Sequence, residues 1–269
     1  IIARLEETTE MIAWRGAGNS LRIRELTDLS AFLVAKGPLP EREGLADRIL
    51  EGHELAGVSY VLERGNALGQ IFRSLPESPQ LQARGVVLTD IPGLRTRLEE
   101  SLDQRGSILD SASPLLARAR RQVVQLEEDL RRWMEKRRDH KDVRKALQGA
   151  VISIRQGRWV FAVRAEFRRN VPGVIHDRSN SGSTLYIEPQ EIVMRGDELS
   201  DLRAVERREI TRILGELTKE VRRLARQIID RYDELIALDG AWARAAFGAA
   251  FGGVPPTIAE GRQLLLRGA

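Results

Sequence analysis

Arginine and lysine are the residues of this chain whose type and spacing best suit a chemical task. Between Leu115 and Arg178 there are 17 Lys and Arg against 8 Asp and Glu, a local balance of +9 in a chain whose formal net charge is +4. The excess falls in two groups. Arg155, Arg158, Arg164, Arg168, Arg169 and Arg178 lie on or beside a β-patterned stretch. Lys136, Arg137, Arg138, Lys141, Arg144 and Lys145 lie at the end of the helix-patterned stretch that leads into it. Guanidinium forks match phosphate oxygens, and each phosphate contact releases condensed counterions. The pattern therefore suits a polyanion gripped by its backbone, with nothing that points to reading of base edges. For the helical group a solvated helix face is an equal reading. The β-patterned group favours a ligand, because few acids interleave there.

Other chemistry is weaker. The chain has no cysteine, which excludes disulfides, a thiolate nucleophile and thiolate metal sites. His53, His140 and His176 are far apart in sequence. Asp177 and Glu188 flank one hairpin and His176 adjoins Asp177, a set able to ligate a metal or move a proton. Neighbouring strand residues point to opposite faces, however, so His176 and Asp177 are not expected to converge, and Asp177 reads as a turn former. The Ser179-Asn180-Ser181-Gly182-Ser183 tip reads as a plain hairpin loop ahead of a phosphate cradle. Trp159 and Phe161 are assigned to a small hydrophobic core ahead of base stacking. No catalytic, metal or cofactor-binding residue is assigned.

The elements that position these residues are mostly helical. Charged residues are 30% and aromatics 5% of the 269 residues, a balance suited to long solvated helices. Residues 1–102 read as short helices broken at 15–20, 36–40 and 75–79, with helical spacing over 41–64 and a weak strand pattern at 84–88. Ser113 and Pro114 form a helix start, followed by an apolar seam at Leu116, Ala119, Val123, Leu126, Leu130 and Trp133. That helix is expected to run to about Leu147 and to end at Gly149. A return helix is expected from near Asp197, with its seam at Leu199, Leu202, Val205, Ile210, Ile213, Leu217, Val221, Leu224, Ile228 and Leu235. Each would span roughly 35 to 40 residues, on the order of 50 Å. Between them lie two hairpins. Ile152 and Ile154 turn at Gln156-Gly157 into Trp159, Phe161 and Val163, and residues 171–177 turn through 178–183 into 184–188. Arg158, Arg164, Arg168 and Arg169 are expected on the wet face, where their replacement should leave the fold intact. No apolar run approaches a membrane span and the start lacks a signal-peptide pattern, so a cytoplasmic chain without membrane contact is expected. It begins in mid-pattern and ends on QLLLRGA without a stop signal, which suggests a fragment.

The β-patterned stretch resembles a known signature. GRWVFAVRAEFRRNVPGVIHDRSNSGSTLYIEP is similar to that of the second bacterial branch of the MutS ATPase family. The matching positions are residues 157–160, 171–177, 179–183 and 184–189, with further likeness at 108–123 and 199–214, and at Leu238-Asp239 followed by Ala241, Ala243 and Ala246. The resemblance implies a mainly α fold, a helical core with a long antiparallel two-helix lever carrying a small antiparallel β clamp at its tip. It divides the chain into core (1–112), outgoing lever helix (113–150), clamp (151–195), returning lever helix (196–236) and return to core (237–269), an elongated particle. It implies a grip on branched or duplex DNA that restrains recombination, with binding and splitting of collided ribosomes as the alternative. The clamp and lever cations Arg155, Arg158, Arg164, Arg168, Arg169, Arg178, Arg137, Lys141 and Lys145 would make the contacts. No G-x-x-x-x-G-K-[ST] motif occurs, so this chain is not expected to be an enzyme or to bind ATP. ATP and Mg are expected in an ATPase domain of the full-length protein, which is expected to be a homodimer. The chain alone is expected to be a monomer or weak dimer.

Overall fold

The computed structural model describes residues 2–21, 23 and 48–254, the side chain of Ala150 excepted. The expected break at 36–40 and the start of the helical pattern over 41–64 lie outside the described residues. The fold is mainly α with one small antiparallel sheet. The helices are α1 (Ile2–Gly16), α2 (Gly52–Arg73), α3 (Pro79–Val87), α4 (Pro92–Ser101), α5 (Pro114–Arg138), α6 (Lys141–Ala146), α7 (Val193–Arg223) and α8 (Ala225–Ala250). The strands are β1 (Leu147–Arg155), β2 (Arg158–Arg164), β3 (Gly173–Arg178) and β4 (Thr184–Pro189). The chain forms two compact units, one from residues up to Leu109 and from Leu214 onward, the other from Asp110 to Ile213.

The first unit packs α1, α2, α3, α4 and α8. Met11, Leu55, Val58, Phe72, Leu81, Leu98 and Leu235 are completely or almost completely buried in it. Trp14 meets the rings of Phe72 and Trp242 edge-on, at 5.2 and 5.7 Å. The weak strand pattern at 84–88 is instead part of α3 and the residue that follows it. No strand among the described residues lies alongside to pair with it, and Gly85 packs tightly against the last turns of α2, where an added Cβ would lie 3.0 Å from the Gly69 carbonyl oxygen. Helix contact therefore overrides the strand preference of Val86 and Val87. Arg84 bridges the buried carboxylates of Glu7 (2.9 Å) and Glu234 (3.0 Å), and burial raises the pKa of Glu234.

The second unit is built on α5, α6, the sheet and the first part of α7. Ser113 caps α5 as its type predicts: its hydroxyl oxygen accepts from the amides of Leu115 (3.2 Å) and Leu116 (3.4 Å), and Pro114 follows at the first helical position. The same hydroxyl donates to Glu209 of α7 at 2.6 Å. Ion pairs Arg120–Glu206 and Arg203–Glu127 join the two helices in antiparallel order. The α5 seam is as expected at Leu116, Ala119, Val123 and Leu130, and Met134 replaces the failing seam after Trp133.

Glu209 is buried, and Arg212 beside it, with Ser113, holds its pKa down at about 2. A depressed carboxylate stabilises the fold fully above its unfolded value of 4.5, and that contribution fades as the pH falls through about 2. Glu209→Gln should therefore lower stability at neutral pH and lose its disadvantage near pH 2, as read from urea denaturation at each pH. Ser113→Ala should cost about 1 kcal/mol as a lost cap.

The helices differ from the expectation in three places. α5 ends at Arg138, and His140 adopts an extended conformation (φ −63°, ψ 136°) that starts α6. The turn lets α6 bury Val143 and Ala146 against the core under the sheet. β1 then begins at Leu147, paired to Val163, so Gly149 lies within a strand and terminates no helix. The return helix starts at Val193 and breaks at Leu224 (φ −106°, ψ 9°), although the apolar seam continues through the break at Ile228 and Leu235. Nothing in the sequence there marks the break.

The sheet has the order β1-β2-β4-β3, all antiparallel. Gln156 (φ 50°) and Gly157 (φ 80°) make the first hairpin turn, both in the left-handed region that a two-residue hairpin requires. Phe161, Val163, Leu185 and Ile187 form the buried face, packed with Leu130, Met134, Val143 and Leu199.

Candidate nucleic-acid interface

The face of the sheet opposite Phe161 carries Arg155, Arg158 and Arg164, as alternation predicts. They are not all free there. Arg158 lies 2.7 Å from Asp197 and 3.7 Å from Glu188, whose carboxylate is 2% exposed. His176 Nε2 approaches the same carboxylate at 2.7 Å. Arg155 stacks over the ring of Tyr186, 4.5 Å from its centre, and pairs loosely with Asp177 at 3.9 Å. Arg164 donates to the carbonyl of Lys145 and covers the ring of Phe167 at 4.6 Å. Arg137 lies 3.8 Å from Glu191. The sequence places Arg158 and Arg164 on a wet face with no structural duty. The structure corrects this: both are half-buried and hold the clamp together.

The convergence of His176 with Glu188 arises from a bulge. Ile175 pairs with Ile187 and Asp177 with Tyr186, so His176 is the extra residue on β3. Asp177 points elsewhere and accepts from the Arg178 amide at 2.8 Å. Two glycines close in on Glu188. A Cβ at Gly173 would meet its carbonyl oxygen at 1.9 Å, and a Cβ at Gly196 would meet Oε1 at 2.3 Å. This buried Arg158–Glu188–His176 cluster is what sequence reasoning missed, because a bulge leaves no mark in the pattern.

The remaining cations are exposed. Lys141, Arg144 and Lys145 lie on α6, and Arg168 and Arg169 on the 3-10 turn 165–170. Asn170 donates to the Asp142 carbonyl at 3.2 Å, which joins that turn to α6. Five cations thus flank one seam, with Asp142 and Glu166 as the exposed acids beside them. Arg178 is exposed on the other hairpin and Lys136 on the last turn of α5. Among the described residues these seven side chains make no ion pair. The Ser179–Ser183 hydroxyls bond mainly within their own loop, Ser181 to Ser183 at 2.7 Å and Ser179 to the Thr184 amide at 3.1 Å, around Gly182 (φ 71°). Phe161 is fully buried and Trp159 packs against the core, which places both with the hydrophobic core as expected.

No protein-family model matches the chain. Curated relatives do. The chain is 31% identical, over its whole length, to "Endonuclease MutS2" of Pelotomaculum thermopropionicum, covering 34% of that protein. It is 32% identical over 90% of its length to the protein of that name from Geobacillus sp. (strain WCH70), covering 30% of it. It is 39% identical over 68% of its length to that of Thermomicrobium roseum. The chain belongs to the MutS2 family. It spans about a third of the length of the curated MutS2 relatives it matches. No described helix is long and apolar enough to cross a membrane.

Proposed function

We propose that the second unit of this MutS2-family chain is a nucleic-acid grip that holds branched or duplex DNA by its phosphates and thereby restrains recombination. The observation that carries this is the group Lys141, Arg144, Lys145, Arg168 and Arg169, five exposed cations on two joined elements, none paired with an acid among the described residues. The relatives' name supports DNA as the polyanion. In this reading the grip serves ATP hydrolysis and the endonuclease activity for which the relatives are named, both performed by other parts of a longer homodimeric protein. Backbone contact predicts affinity that depends on charge and salt and little on sequence.

Competition decides between targets. A labelled four-way junction bound to the chain is challenged with duplex DNA, unlabelled junction and purified ribosomes. The proposal expects both DNAs to displace it with similarly steep salt dependence. Ribosomes that displace it at far lower phosphate concentration than either DNA would transfer the grip to ribosomal RNA.

A further inference from the structure

The antiparallel α5–α7 pair of the second unit carries a furrow on its open side. Arg118, Arg121, Gln122 and Gln125 line it along α5, and Arg195 lines it from the start of α7. All five side chains are exposed, and the three arginines make no ion pair among the described residues. Two leucines that also line it, Leu126 and Leu202, are half-buried. Of its two carboxylates, Asp129 is held by Arg132 and Gln125, and Glu198 is exposed.

The α5 side continues beyond the furrow. Steps of three and four lead from Arg118 through Gln122, Gln125, Asp129 and Arg132 to Lys136, so these residues share one helix face. That face is about 27 Å long. Its far end, exposed Lys136, is five residues before Lys141, the first cation of the seam assigned to the DNA grip. A length of about 27 Å faces about eight base pairs of duplex. The chemistry suits phosphates. Guanidinium and side-chain amide groups offer N–H donors, and phosphate oxygens are acceptors. A docked protein helix would need exposed apolar side chains here, and both leucines are already half-buried.

We propose that this face of α5, with Arg195, is a second duplex-binding site, on which a DNA helix held at the seam is followed for about eight further base pairs. The proposal rests on the reading of DNA as the polyanion of this unit. It gives the grip a length: a duplex long enough to reach from the seam to Arg118 gains contacts that a short one cannot make.

Salt titration of affinity tests it, with the whole chain and labelled hairpin duplexes of about 8 and about 24 base pairs. The short duplex occupies the seam, which has more cations. The long one should add the three arginines and steepen the slope of log affinity against log salt by about 2.7. Over a fourfold rise in salt this is an extra loss of about 40-fold. Replacing all three arginines, Arg118→Gln, Arg121→Gln and Arg195→Gln, should abolish the difference and leave the short duplex unaffected. Glutamine removes the contacts without adding repulsion. Glu198→Gln should tighten the long duplex alone. The same loss of charge at Arg131, Arg207 and Arg223, which are exposed and do not line the furrow, should keep the long-duplex slope. Circular dichroism checks helicity, and if the triple variant loses it, Arg118→Gln with Arg121→Gln should lower the slope by about 1.8. Equal slopes for both lengths overturn the proposal. So does a long-duplex slope that the triple variant retains, or that the control loses equally. Displacement of the long duplex by polyglutamate at a lower charge concentration than by unlabelled duplex would also overturn it and give the furrow to an acidic protein segment. Failure of the seam looks different. With its five cations reversed, an unchanged short-duplex slope removes the seam from the grip, while loss of the long-duplex increment in the triple variant still supports the α5 face.

Discussion

Reversal of Lys141, Arg144, Lys145, Arg168 and Arg169 to Glu should remove most of the polyanion affinity of the chain and leave its fold intact. All five side chains are exposed and make no ion pair among the described residues, so the folded state gives up little with them. Each phosphate contact contributes about 0.9 to the slope of log affinity against log salt on duplex DNA, so five contacts contribute about 4.5. Over a fourfold rise in salt, the parent should therefore lose about 500-fold more affinity than the variant. Fluorescence anisotropy with a labelled duplex at several salt concentrations measures this directly. A folded variant that keeps the parental slope would move the grip away from this seam, with Arg178 and Lys136 the next cations to examine.

Arg158→Glu should act on the fold itself. Glu188 is 2% exposed and faces Arg158 and His176 inside the clamp. A second carboxylate in place of the guanidinium would leave Glu188 with His176 alone and a like charge beside it. Breaking a buried pair by removing one partner costs about 3–5 kcal/mol. Urea denaturation should show the loss, and near-ultraviolet circular dichroism, which senses Trp159 in the same strand, should report it early. A variant as stable as the parent would mean that His176 suffices to hold Glu188. The expected loss also changes how a combined reversal of Arg158, Arg164, Arg168 and Arg169 must be read, since weaker binding would then follow from a damaged clamp.

Much of this fold is legible in the residues. The Ser113-Pro114 start, the α5 seam, both hairpins and the Gln156-Gly157 turn each rest on a local rule that tertiary contacts leave in force. The break after Arg138 is different. It depends on Val143 and Ala146 finding a place beneath a sheet made by residues later in the chain. α3 is another such case, because Gly85 reads as a helix weakener until α2 is there to meet it. For the candidate interface, charge singled out a region and said nothing about which of its cations the fold consumes. Arg158 and Arg168 are indistinguishable by type and neighbourhood in sequence. They differ because one faces a carboxylate thirty positions downstream and the other faces solvent.

The two glycines pressed against Glu188 have an evolutionary consequence. Gly173 has no room for a methyl group against the Glu188 backbone, a methyl group at Gly196 would displace the Glu188 carboxylate and the Arg158 guanidinium, and Glu188 also engages Arg158 and His176. A substitution at any of these positions disturbs the others, so they are bound to drift slowly and together. The seam of Lys141, Arg144, Lys145, Arg168 and Arg169 carries no such constraint. Selection can retune its charge one residue at a time at negligible cost to folding. A lineage with this scaffold can therefore change what it holds, or how tightly, while its most recognisable sequence stays still.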